Sequence, residues 1–112
     1  MDNQRIVERK HLIYYLEVTD IETNQAIGHA VDISNEGLNL ISQEPIKLES
    51  TFQLKMFLPE EIQGSRYYEF AATGKWCKKD ENPDFYNIGF KLNNVSTESV
   101  QVIKRLIDKF CF

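Results

Sequence analysis

Two short runs of polar residues carry the chemistry that this sequence could perform. Arg5 and Arg9 stand four positions apart near the start of the chain, and Asp32, Ser34 and Gly37 share the run Asp-Ile-Ser-Asn-Glu-Gly. Each guanidinium presents a planar fork of N–H donors that can bind an anionic group through two bonds at once. A carboxylate, a hydroxyl and a glycine add an acceptor, a small donor and room for close backbone approach. A local pair of arginines could bind an anionic ligand, and the two runs together are the candidate functional residues of this sequence.

Each run also has a purely structural interpretation. Arg5 and Arg9 could be ordinary solvated charges. Aspartate and serine side chains often bond to nearby backbone in turns, so Asp32 and Ser34 could serve a turn alone, with Gly37 as its glycine. The chemical interpretation requires a fold that brings the two runs together.

The usual signs of catalysis or metal binding are missing from the sequence. His11 and His29 both fall inside strand-like segments, where a single histidine is more often a hydrogen-bonded structural residue than a base. Cys77 and Cys111 have no CxxC spacing, so we expect plain thiols. There is no nucleophile elbow, phosphate-binding loop or metal-ligand cluster. We therefore expect no enzyme, no catalytic residue, no metal and no cofactor.

The composition limits the class of protein further. The chain has 112 residues, 42% of them hydrophobic, and a formal net charge of −4. This supplies one domain with one core. An acidic chain lacks the basic field that non-specific nucleic-acid binding requires. The polar N-terminus and the lack of a long apolar run predict a cytoplasmic protein without membrane insertion.

Alternating apolar residues and turn signals predict six strands joined by short connections. The predicted strands cover residues 11–18, 26–33, 38–42, 52–58, 67–77 and 86–92, with Pro59 ending the fourth and a loop continuing to Gly64. Such a series is typical of a small antiparallel barrel. Residues 1–9 hold few apolar side chains and are predicted to form a flexible arm before a domain at residues 10–112.

A helix is predicted over about residues 96–110. Ser96 is a suitable N-cap because its hydroxyl can accept a bond from a free backbone N–H of the first turn. The apolar residues expected on one face, which must dock on the sheet or on a partner, are Val100, Ile103, Leu106, Ile107 and Phe110.

With both runs in this order, the sequence resembles the PilZ domain family, whose signature is RxxxR followed about 20–30 residues later by [DN]xSxxG. Arg9 and Asp32 are 23 positions apart. The stretches at 74–77 and 87–92 and the closing helix extend the resemblance over nearly the whole chain. It implies an all-β protein with a C-terminal helix, built as a six-stranded antiparallel PilZ-type β-barrel.

The resemblance also implies a ligand, the bacterial second messenger cyclic di-GMP, and an effector protein as partner. The residues expected to bind the ligand are Arg5, Arg9, Asp32, Ser34, Gly37 and Trp76. The guanidinium groups would bind phosphate or guanine, and Asp32 would accept guanine N–H bonds. Ser34 would supply a hydroxyl, and Gly37 would permit a positive φ and close approach of the backbone to the ligand. Trp76 would lie beside a base, although a tryptophan alone is also common in a core.

A second alignment of the arginine motif is possible. Many PilZ domains carry the second arginine where the first strand begins, and that alignment pairs Arg9 with Ile13 and breaks the motif. The literal spacing favours Arg5 and Arg9. The alternative function is therefore a PilZ-fold interaction module that no longer binds the nucleotide. A nucleic-acid-binding barrel is a third hypothesis, disfavoured by the net charge.

Overall fold

A computed structural model describes residues 10–112 of the chain, so the predicted arm, with Arg5 and Arg9, lies outside the described residues. The described part contains six strands and one helix. In chain order they are β1 (Lys10–Asp20), β2 (Gln25–Ile33), β3 (Gly37–Ser42), β4 (Thr51–Ile62), β5 (Ser65–Lys79), β6 (Tyr86–Asn93) and α1 (Thr97–Phe110).

The six strands form one closed antiparallel barrel in the order β1-β2-β3-β6-β5-β4. The alternation of side-chain direction along each strand determines which side chains face the interior of the barrel. In β4, Leu54, Met56 and Leu58 are buried, whereas Gln53 and Phe57 are exposed. A strand of period two buries one face only. The predicted fold class, six antiparallel strands followed by a C-terminal helix, is confirmed.

The prediction that Pro59 ends β4 is wrong. The strand continues to Ile62, and a tight turn with positive φ at Gln63 and Gly64 leads directly into β5. Proline lacks an N–H, so it is tolerated only where no regular ladder bond is needed. Pro59 lies within the irregularity between Phe57 and Ile62, where the β4–β5 register shifts. The proline therefore marks a bulge and not a strand end.

Helix α1 begins as predicted, with the Ser96 hydroxyl accepting a bond from the Ser99 N–H at 3.1 Å. Its buried face agrees with the predicted one at four of the five predicted residues, since Ile103 and Leu106 are buried and Ile107 and Phe110 pack against the core. Val100 is 44% exposed, and the buried helix residues are Ser99, Val102, Ile103 and Leu106. The first turn of the helix is oriented by a polar contact that hydropathy does not reveal. The buried Tyr68 hydroxyl donates to Ser99 Oγ at 2.6 Å, so Ser99 faces the barrel and Val100 faces away.

The end of α1 is tied to the barrel on two sides. Arg105 and Lys109 both bond to the Glu60 carboxylate, at 3.0 and 2.8 Å. The backbone of Cys111 pairs with that of Leu12 of β1 in an isolated antiparallel β-bridge. The side chains of Cys77 and Cys111 are free thiols, as predicted. Within residues 10–112, no helix has the length and apolar content to cross a membrane.

Candidate functional site

One row of paired residues crosses five strands of the barrel. His11 of β1 pairs with Asp32 of β2, which pairs with Asn39 of β3. Asn39 pairs in turn with Gly89 of β6, and Gly89 pairs with Trp76 of β5. Directly opposed residues of an antiparallel sheet project to the same face. An imidazole, a carboxylate, an amide and an indole therefore lie in one line.

This row lies on the outer face of the barrel. The neighbours of Asn39 in sequence, Leu38 and Leu40, are both in the core, so Asn39 points outward. A cavity of about 430 Å³ opens there, lined by Asp32, Ile33, Ser34, Glu36, Gly37, Leu38, Asn39, Lys75, Trp76, Gly89, Phe90 and Lys91. The structure thus brings together four of the six predicted ligand-binding residues.

Ser34 holds the β2–β3 turn. Its Oγ accepts bonds from the N–H groups of Glu36 and Gly37, each at 3.2 Å, and its own N–H donates to the Gly37 carbonyl at 2.9 Å. Ser34 as a whole is 6% exposed. The turn interpretation of Ser34 is therefore confirmed, and the turn that it holds lines the cavity.

Gly37 is required for close packing against β6. A Cβ at this position would lie 2.0 Å from the Phe90 carbonyl oxygen. This distance is too short for any residue that has a Cβ. Gly37 does not adopt the positive φ that a glycine permits, since the described glycines with positive φ are Gly28 and Gly64. The close approach is to the neighbouring strand, and it fixes the distance between the turn and Phe90 at the cavity wall.

Asp32 is held by a histidine. Its Oδ1 is hydrogen-bonded to Nδ1 of His11 on the paired strand, and its side chain is 13% exposed. The interpretation of His11 as a hydrogen-bonded strand residue is thus confirmed. This bond fixes the orientation of the carboxylate, which lines the cavity and can accept further N–H bonds there.

Trp76 forms the opposite wall. It is half-buried and follows an irregularity between Gly74 and Trp76 in the β5–β6 register. The indole lies over Gly89, where a Cβ would be 2.1 Å from Nε1. The ammonium of Lys78 lies 5.6 Å from the ring centroid. The wall is therefore an aromatic surface on the outer face of the barrel and not a core side chain.

Charge in the described lining is balanced. Lys75 and Lys91 carry two positive charges, and Asp32 and Glu36 carry two negative charges. Lys75 is further bonded to Glu49 at 2.9 Å. An anionic ligand would gain no net attraction from these groups alone, so it would need cations from elsewhere in the chain.

Asn39 and Gly89 were not predicted as site residues. Both would have been found only by knowing that their strands pair in this register. No three or more His, Cys, Asp or Glu side chains within residues 10–112 are grouped so that they could hold a metal ion.

Sequence comparison now identifies the family. The model of the PilZ domain matches residues 4–109. The chain belongs to the PilZ domain family. The match includes both predicted arginines and the Asp-x-Ser-x-x-Gly turn, together with all six strands. No curated protein sequence matches this chain significantly.

Several solved structures are similar to this chain in fold. The inhibitor of motility MotI/DgrA from Bacillus subtilis superposes with a TM-score of 0.74 at 15% identity, over 94% of this chain and 50% of that chain. The PilZ domain of YcgR from Escherichia coli, with c-di-GMP (cyclic di-GMP), gives 0.70 at 16% identity, over 95% and 90%. The MrkH–c-di-GMP complex of K. pneumonia gives 0.69 at 13%, over 94% and 51%. This chain thus spans about half of MotI and of MrkH.

Proposed function

We propose that this PilZ chain is a cyclic di-GMP receptor without catalytic activity. The observation that carries the proposal is the cavity in which Asp32, Ser34, Gly37 and Trp76 meet. The YcgR domain and MrkH, which share the fold, are described in complex with c-di-GMP. Since cyclic di-GMP is a bacterial second messenger, we expect the receptor to act in a bacterial cytoplasm.

In the proposed complex, one guanine stacks on the Trp76 indole and donates N–H bonds to the Asp32 carboxylate. Base–aromatic stacking is worth about 1–3 kcal/mol per base. Arg5 and Arg9 bind the phosphates, which supplies the positive charge that the balanced lining of the cavity lacks.

The proposed signal is the ordering of residues 1–9 over the ligand. Recruitment of Arg5 and Arg9 by the phosphates would close this segment over the cavity, and ordering a segment on binding is a known switch. The surface made by segment and ligand would then contact an effector protein. Amide relaxation in the free and bound protein tests the switch, because equal rigidity of residues 1–9 in both states contradicts it.

Calorimetric titration with cyclic di-GMP tests the function. We expect binding at micromolar concentration or tighter, and none of GTP at the same concentrations. Arg9→Ala should weaken binding at least tenfold, because a charge-assisted bond contributes about 1.5–3 kcal/mol. Absence of heat at a hundred micromolar ligand contradicts the proposal.

A second candidate function is a PilZ-fold interaction module that does not bind the nucleotide. One observation favours it: between His11 and Leu16, β1 has four residues where β2 has one, and the resulting bulge exposes large apolar side chains. The exposed apolar residues on this side of the barrel are Ile13, Tyr14, Tyr15 and Phe112. Partner binding that is unaffected by cyclic di-GMP and lost on replacing Tyr14 with serine would support this function.

A further inference from the structure

A buried amide in the cavity lacks a hydrogen bond. Asn39 is 9% exposed, and its Oδ1 is the buried side-chain oxygen for which no partner is present among residues 10–112. Buried polar groups are nearly always paired, because an unpaired group loses its bonds to water without replacement. An exception therefore points to strain, to a bound water or to a ligand.

The position of Asn39 favours a ligand. It lies in the cavity lining, at the centre of the row, between Asp32 on one side and Gly89 on the other. Paired residues on neighbouring strands have Cβ atoms about 4.5–5.5 Å apart. The Asn39 amide and the Asp32 carboxylate thus stand side by side, and on the β6 side the Trp76 indole covers Gly89, the partner of Asn39.

We infer that Asn39 determines base specificity in this site, with its Oδ1 accepting an N–H bond from the base that Asp32 also binds. This inference rests on the proposed function. The Watson–Crick edge of guanine carries two adjacent donors, N1–H and the N2 amino group. The corresponding edge of adenine carries an acceptor at N1. Two neighbouring acceptors on the protein therefore pair with guanine and leave an unpaired acceptor opposite adenine.

Asn39→Ala is the direct test, because it removes the amide from a site where the fold makes no use of Oδ1. We expect cyclic di-GMP binding to weaken about tenfold. Binding of cyclic di-AMP, measured as a competing ligand, should change less than twofold. The thermal unfolding midpoint should stay the same or rise, since a desolvated polar atom is lost.

Asn93→Ala is the matched control. Asn93 is a half-buried asparagine near the end of β6, and its amide donates to Thr73 Oγ1 at 3.0 Å. Loss of this satisfied amide should lower the unfolding midpoint and leave the affinity for cyclic di-GMP unchanged. Asn39→Thr, which keeps an oxygen acceptor on a β-branched side chain, should recover part of the affinity lost in Asn39→Ala.

The outcomes separate the inference from the proposed function. Wild-type affinity for cyclic di-GMP in Asn39→Ala overturns the inference alone, as does an affinity lost only together with a lowered unfolding midpoint. Equal weakening of both dinucleotides shows that Asn39 does not select the base and also overturns it. Failure of the wild-type protein to bind cyclic di-GMP overturns the proposed function and this inference with it.

Discussion

The Trp76 indole lies directly over Gly89, its partner on the neighbouring strand, with Nε1 only 2.1 Å from where a Cβ of residue 89 would be. The glycine thus leaves the space that the indole occupies. Because Gly89 also pairs with Asn39, this contact places the aromatic wall beside the polar groups of β2 and β3. The aromatic half of the proposed site therefore depends on the absence of a side chain.

Gly89→Ala should displace the indole and weaken cyclic di-GMP binding. Loss of one base stack, worth about 1–3 kcal/mol, corresponds to a roughly fivefold to hundredfold weaker affinity. Calorimetry gives the affinity, and the fluorescence of Trp76, the single tryptophan of the chain, reports its displacement. Gly64→Ala is the control: it is strained by a φ of 79° but has open space, so it should cost stability alone.

Ser34→Ala should destabilise the protein by about 1–3 kcal/mol, because two N–H groups of the β2–β3 turn lose their acceptor. Affinity should fall as well, since Asp32 and Gly37 flank that turn. Chemical denaturation measures the loss, and Ser34→Thr, which restores a hydroxyl, should recover most of it. Unchanged stability in Ser34→Ala would contradict the described turn.

The two alignments of the arginine motif predict opposite results for a pair of variants. If Arg5 and Arg9 are the motif, Arg5→Ala weakens cyclic di-GMP binding at least tenfold and Ile13→Arg changes little. If the motif is Arg9 with position 13, Arg5→Ala is neutral and Ile13→Arg strengthens binding. Ile13 is 49% exposed, so an arginine fits the fold there. We expect the first result, with Arg66→Ala, an exposed arginine early in β5, as the neutral control.

The attachment of α1 should depend on pH through Glu60. Hydrogen bonds from Lys109 and then Arg105 lower the pKa of this carboxyl. A group with a lowered pKa stabilises the fold above its ordinary pKa, and this stabilisation is lost as the pH falls through the lowered value. Glu60→Gln should therefore reduce the free energy of unfolding at pH 7 and have no effect in acid below that value.

The control for this helix contact is Glu61→Gln, an exposed neighbour of Glu60. Denaturation curves at several pH values should show no comparable pH-dependent difference from the wild-type protein. A Glu60→Gln effect that persists unchanged into strong acid would contradict the ion-pair explanation.

Much of the fold could be predicted because it follows from alternation and capping. The alternating apolar residues of β4 and the N-cap at Ser96 are local signals, and both gave the right element. The end of β4 at Pro59 and the burial of Val100 were predicted wrongly because both depend on tertiary contacts, which local sequence patterns do not show. A bulge tolerates the proline, and the buried Tyr68–Ser99 bond orients the first turn of the helix.

The site was predictable only where a motif names it. Asp32, Ser34 and Gly37 lie within six consecutive residues, so their shared turn could be expected. Asn39 and Gly89 become site residues through strand register, which alternation does not specify between distant strands. An asparagine that points outward from a strand is expected to be exposed to solvent. Asn39 is buried because residues of the neighbouring strands surround it.

The most direct test of cyclic di-GMP binding in this cavity is a titration followed by two-dimensional NMR of the ¹⁵N-labelled protein. If the ligand binds in this cavity, the signals of the Trp76 indole N–H and of the Gly37 and Gly89 amides should shift together along one saturating curve. The amide of Gly64, at the β4–β5 turn, should not move. No shift at Trp76, Gly37 or Gly89 at millimolar cyclic di-GMP, or shifts confined to other residues, would contradict binding in this cavity.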